Sequence, residues 1–178
     1  MTNPHRSDTA RAEDMAALYR QHYLPFQYLT VQFMTEHLID VSRAFKGDMQ
    51  AVVILAIIGQ TQLARMIANN EGSEALTQLY PTNASRIADV TAIPRETVRR
   101  KLEKLRDFGW VDRDSDGSWF LKVSDSISQA RTDLSELEER SINRYATFVA
   151  AFSRLVERYS GANGADSATA APIATGAH

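Results

Sequence analysis

Between Asn83 and Val123 the apolar pattern changes period, and few folds accommodate the order in which it does so. Asn83 or Thr82 can cap a short helix running through Val90, with Ile87 and Ala88 facing inward. Thr91-Ala92-Ile93 then makes a brief turn. Pro94 opens a second helix, in which Val98, Leu102 and Leu105 share one face at steps of four and three. After Gly109 the spacing becomes that of strands. Trp110 to Arg113 and Ser118 to Val123 are rich in β-formers, and Asp114-Ser115-Asp116-Gly117 between them is a turn sequence. Two helices meeting at a tight corner, with a β-hairpin behind them, are expected over 83–123.

Helical patterns flank this core. Pro25 suits a first helical turn, and Leu29, Phe33, Leu38, Val41 and Phe45 follow it until Lys46-Gly47 ends the pattern. Asp48 can cap a further helix to about Asn70, whose segment Ala51 to Ile58 is apolar on every side and is expected to be buried all round. Glu71 to Thr82 looks like a connection with a helical turn around Glu74 to Tyr80. From Ser124 a long helix is expected, with Ser126 and Gln129 in capping-box spacing. Its inward stripe is Ile127, Ala130, Leu134, Leu137, Ser141, Tyr145, Phe148, Phe152, Leu155 and Tyr159. At 1.5 Å per residue it would reach roughly 50 Å, more than a small domain can cover, so a partner subunit is expected against it.

The stretch Ser85-Arg86-Ile87-Ala88-Asp89-Val90-Thr91-Ala92-Ile93-Pro94-Arg95-Glu96-Thr97-Val98-Arg99-Arg100-Lys101-Leu102 resembles the helix-turn-helix of bacterial winged-helix transcription regulators. Leu105-Arg106-Asp107-Phe108-Gly109-Trp110-Val111 resembles the stretch that leads such a motif into its wing. The order of amino-terminal helices, central motif and long terminal helix is similar to that of MarR-type dimeric regulators in architecture only, and no membership is assigned. The resemblance implies a mainly α chain: a winged helix-turn-helix with a small β-hairpin wing, flanked by N-terminal helices and a long C-terminal helix. Residues 1–82 would be a helical region for dimerisation, 83–123 the DNA-binding domain, 124–160 a long helix also for dimerisation, and 161–178 a disordered tail of Ala, Gly, Thr and Ser. The expected function is sequence-specific transcriptional control by a homodimer on double-stranded DNA carrying an inverted repeat.

In that geometry the face of the second helix opposite Val98, Leu102 and Leu105 is free to enter a major groove. Arg95, Glu96, Thr97 and Arg100 are the candidates for base contact; Arg86, Arg99, Lys101 and Lys104 are the candidate phosphate neighbours. Arg113 and Lys122 flank the wing tip and could reach the backbone. Local charge agrees: Arg86 to Arg113 holds eight Lys or Arg and five Asp or Glu, a net of +3 in a chain of net −2. Against this, the basic residues could be a solvated face paired with Glu96, Glu103 and Asp107. The wing tip is acidic where a DNA-gripping wing carries Arg or Lys, so the alternative is a winged-helix module that joins proteins and barely binds DNA.

Other classes find little support. The absence of cysteine excludes disulfides and thiolate chemistry and suits a reducing cytoplasm, the expected location. The unbroken apolar run Ala51 to Ile58 is too short to span a bilayer, and no membrane partner is expected. His5 and His178 lie near the ends, and His22 and His37 have no ligand-like spacing, so neither a metal nor a cofactor is expected. Glu36, His37 and Asp40 read better as a solvated or hydrogen-bonded helix face. No phosphate loop or nucleophile elbow is present, and an enzyme is not expected. Tyr19, Tyr23, Phe26, Tyr28 and Phe33 could line an effector pocket, though core or dimer packing accounts for them more simply.

Overall fold

A computed structural model describes residues 4–71, 82–124 and 127–166. The chain is mainly helical with a small antiparallel hairpin. In order come α1 (Pro4–Gln21), α2 (Tyr23–Ala44), α3 (Met49–Glu71), α4 (Ala84–Thr91), α5 (Arg95–Asp107), β1 (Val111–Arg113), β2 (Trp119–Leu121), β3 (Val123–Ser124), β4 (Ile127–Ser128), α6 (Gln129–Asp133) and α7 (Ser135–Asp166). It divides into two compact units, one of residues 1–37 with 141–178 and one of residues 38–140.

The core of the second unit is built by the predicted apolar rows. Ile54 and Ile58 of α3, Ile87 of α4, and Val98, Leu102 and Leu105 of α5 are fully buried with Val111, beside Trp110 and Trp119 of the hairpin. Each helix of the corner has a local cause. Asn83 caps α4 by accepting the Arg86 backbone N–H at 2.9 Å, and the chain leaves α4 through Ala92 at φ 56°. At the end of α5, Trp110 N–H reaches Leu105 O at 3.0 Å and Gly109 N–H reaches Arg106 O at 2.8 Å. This double closure needs the left-handed φ of 73° that Gly109 supplies. Strand β1 pairs with β2 in the register Val111↔Leu121, Arg113↔Trp119. The outer edge of β2 is also satisfied: Trp119 N–H donates to Thr82 O at 3.1 Å, and Leu121 N–H to Gln62 Oε1 at 2.9 Å.

Two expectations for this unit are corrected. Helix α3 is not buried all round, because Ile54, Leu55 and Ile58 take the core-facing side and leave Val53 and Ala56 exposed. Leu63, Met66 and Ile67 continue the exposed apolar surface. The run Ala51 to Ile58 is also only part of a stretch, Met49–Asn69, that is long and apolar enough to cross a membrane by length and composition. The second correction concerns the long helix, which does not begin at Ser124. Val123–Ser124 and Ile127–Ser128 instead form a short antiparallel ladder, with Ile127 exposed. Ser128 then caps α6 by accepting the Arg131 N–H at 3.2 Å, and Leu134, at φ −100°, breaks the helix before α7. The turn expected at Glu74 to Tyr80, Ser126 of the expected capping box and residues 167–178 of the expected tail lie outside the described residues. Helix α7 itself continues past Gly161 to Asp166.

In the first unit, aromatic residues join α2 to α7. Phe26 is fully buried, with its ring centroid 5.1 Å from Phe152; Phe33 lies 4.6 Å from Phe148, and His22 stacks on Tyr159 at 4.0 Å. Tyr19 adds a ring 5.3 Å from Phe26. Phe26 and the half-buried Tyr19 and Phe33 thus pack within one chain, as do Phe148 and Phe152 of the expected dimer stripe, whereas Tyr23 and Tyr28 are exposed. Tyr145, also placed on that inward stripe, is instead exposed.

Candidate nucleic-acid interface

Helix α5 carries different chemistry on each flank of its buried row. With 3.6 residues per turn, Glu96, Arg100 and Asp107 lie opposite Val98, Leu102 and Leu105. Arg95 and Arg99 fall on one flank. They line a hollow of about 480 Å³ together with Arg113 and the first residues of α4, Ala84 and Ser85. Three arginines, two from α5 and one from β1, therefore border one hollow beside a helix start, where backbone N–H groups favour an anion. Glu103 and Asp116 also border the hollow, so its charge is partly offset.

The expected pairing with acidic neighbours is present only for some cations. Arg99 Nε stands 3.5 Å from Glu96 Oε2, and Arg106 is paired with Glu103, both across one helical turn. Arg95 and Arg100 are exposed and have no carboxylate within ion-pair distance among the described residues. Thr97 is half-buried, and Arg86 is exposed on α4.

At the hairpin, Arg113 folds back over the turn. Its Nε lies 3.4 Å from Gly117 O, and its guanidinium covers the glycine so closely that a Cβ there would lie 2.9 Å from Nη2. Gly117 adopts φ 83° while Asp114 Oδ1 accepts the Ser118 N–H at 2.7 Å. Asp114 and Asp116 are exposed. Lys122 is exposed at the base of the hairpin, where its N–H donates to Trp110 O.

Lys101 and Lys104 lie on the other flank, away from the hollow. Lys101 Nζ is 2.7 Å and Lys104 Nζ 3.3 Å from the same oxygen, Asp48 Oδ2. Asp48 Oδ1 caps α3 by accepting the Ala51 N–H at 3.1 Å. Burial tends to raise the Asp48 pKa. The Lys101 hydrogen bond, the Ala51 N–H and the Lys104 hydrogen bond outweigh that effect and hold it below the ordinary carboxyl value. The cap was legible as a helix start; its link to lysines more than fifty residues away carries no local signal.

Replacing Asp48 with Ala should therefore cost on the order of 1–3 kcal/mol, from one lost cap and an unpaired, largely buried ammonium. A depressed folded pKa gives stability that is full above the unfolded value and lost as pH falls through the folded one. Denaturant melts of wild type and Asp48→Asn should differ most at neutral pH and converge below about 3.9. A constant gap across that range would mean the lysine pairing adds nothing.

His37 stacks on Phe33, and Glu36 accepts Arg144 Nη1 at 2.6 Å. Comparison with protein-family models, with curated proteins and with solved structures finds no match for this chain.

Proposed function

We propose that residues 83–123 act as a winged helix-turn-helix and that the chain is a DNA-binding transcription regulator working as a homodimer. The observation that carries this reading is the convergence of Arg95, Arg99 and Arg113 on one hollow at the start of α4, beside the outward-facing Arg100. Helix α5 is the reader, and Arg95, Glu96, Thr97 and Arg100 stand on its leading turns, the part that approaches base edges in this geometry. Arg86, Arg99 and Arg113 are assigned to phosphates. Lys101 and Lys104 are not, because they lie on the opposite flank, where both pair with Asp48.

A second reading, a winged-helix module that joins proteins, draws on one feature: the exposed Asp114 and Asp116 at the hairpin turn. Binding to random genomic fragments as a function of salt separates the two. Three arginines per chain reaching phosphates in a dimer would give a log–log slope on the order of −5. Absence of binding at low salt, or a slope near zero, would select the protein-joining module.

A further inference from the structure

We propose that the outward face of α3 is a second self-contact, beyond the homodimer of the proposed function, through which two copies of this chain pair antiparallel. Met49, Val53, Ala56, Gln60, Leu63 and Ile67 recur along α3 at steps of four, three, four, three and four. All but the half-buried Met49 are exposed. This is the repeat of 3.5 residues by which one helix keeps a straight seam against another. The stripe lies across the helix from Ala51, Ile54 and Ile58, which already seat α3 on the core, so the unit itself has no use for it.

A second α3 is the occupant these residues fit. Between Asp48 and Glu71 the helix carries one charge, Arg65, which falls off the stripe. A charged partner or an anionic membrane surface finds nothing to pair with there, whereas an identical neutral face meets no repulsion. Set antiparallel, the stripe complements itself. Met49 faces Ile67 of the second copy, Val53 faces Leu63, and Ala56 faces Gln60, each layer repeated by the two-fold axis. Smaller side chains thus meet larger ones, and the amide layer fixes the register. The next antiparallel register would bury Gln60 against Leu63 and strand Val53 opposite Asn70. Antiparallel pairing also sets opposite ends of the two helix dipoles side by side. The seam spans roughly 27 Å at 1.5 Å per residue and is one helix wide, which makes it a weak contact that acts where copies are already concentrated. The buried rows of α3 and α5 meet in the core, so their outward faces point to opposite sides of the unit. On the DNA reading, dimers joined through α3 would therefore hold separate duplex segments.

The test uses the full chain without DNA, so its outcome is separate from that of the DNA reading. The sequence has no cysteine, and a single introduced one can form a disulfide only with another copy. Val53→Cys and Leu63→Cys chains, mixed at submillimolar concentration and oxidised, should cross-link to each other. Neither should cross-link to itself, because antiparallel pairing holds the two copies of either position ten residues, about 15 Å, apart along the seam. In sedimentation over the same concentrations the wild-type dimer should give way to a tetramer. Leu63→Asp should remain dimeric with unchanged circular dichroism, and Gln60→Leu should tighten the association about tenfold by replacing an amide with an apolar side chain. The mixed cross-link does not involve α2, so it stands even if the homodimer of the proposed function fails. Self-linking of Val53→Cys, absence of the mixed cross-link, or a mass indifferent to both Leu63→Asp and Gln60→Leu would each overturn the seam. Sedimentation with phosphatidylcholine vesicles, lost in Leu63→Asp and seen without the mixed cross-link, would give the face to a lipid surface instead.

Discussion

A protein in which Arg95 and Arg100 are both alanine is expected to remain folded and to lose specific DNA binding. The two side chains are exposed, unpaired with any carboxylate among the described residues, and mounted on a helix whose buried row they do not touch. Alanine is the strongest helix former, so α5 should persist with unchanged circular dichroism. On the proposed reading each arginine directs a base or phosphate contact worth about 1–3 kcal/mol. The pair then costs on the order of 2–6 kcal/mol, roughly thirtyfold to ten-thousandfold in Kd, if the effects add. Titration against a genomic fragment selected by the wild-type protein measures this. A control, Arg106→Ala, removes a cation of the same helix that is already paired with Glu103 and should change affinity much less. Unchanged affinity in the folded double variant would remove α5 as the reading surface.

The features legible in the sequence are those fixed by a few neighbouring residues. The Asn83 cap, the start of α5 after Pro94, the Gly109 closure and the turn before Gly117 all depend on local backbone chemistry, and the corner and hairpin stand where those signals put them. The rows Ile87 and Val98-Leu102-Leu105 were readable because period alone assigns a face. Other features were decided by distant partners. Helical period alone puts Lys101 and Arg99 on opposite flanks of α5, but only the tertiary fold supplies Asp48 as a partner for one and the arginine hollow for the other. Likewise Val53 belongs to an unbroken apolar run but faces outward, because the core accepts only one side of α3. The break at Leu134 interrupts a heptad-like pattern that gave no warning of it. There Trp110 Nε1 bonds Asp133, the last residue of α6, tying the helix end to the hairpin. A cavity of about 700 Å³ is lined by Phe45, Asp48, Phe108 and Asp133, and only the tertiary fold assembles them.

Introducing Asp at both Leu24 and Tyr28 is expected to convert a dimer into a folded monomer. The proposed dimer needs an apolar surface that the first unit leaves uncovered, and Phe148 and Phe152 of α7 do not provide it. Phe148 and Phe152 are spent on Phe33 and Phe26 of the same chain, so charging them would unfold the unit without testing assembly. On the face of α2 opposite Phe26 and Phe33, however, Leu24, Tyr28 and Val31 recur at steps of four and three and are 78%, 71% and 50% exposed. That is the spacing by which two helices pack side by side, and a two-fold pairing of α2 with its copy would bury each residue twice. Burying Leu24 and Tyr28 from both chains would contribute on the order of 6–12 kcal/mol before the cost of association. Four carboxylates placed along that seam would both forfeit this and repel one another. Light scattering at micromolar concentration should give twice the chain mass for wild type and the single mass for the variant, with equal helicity and thermal stability no lower than that of the dissociated wild type. DNA affinity should fall with the mass, since a monomer presents one α5 where a two-fold dimer presents two, separated by roughly 34 Å for an inverted repeat. A wild-type monomer, or a variant that stays dimeric, would sink the α2 seam. The second outcome would move the interface to the exposed Ile142, Tyr145 and Val149 of α7.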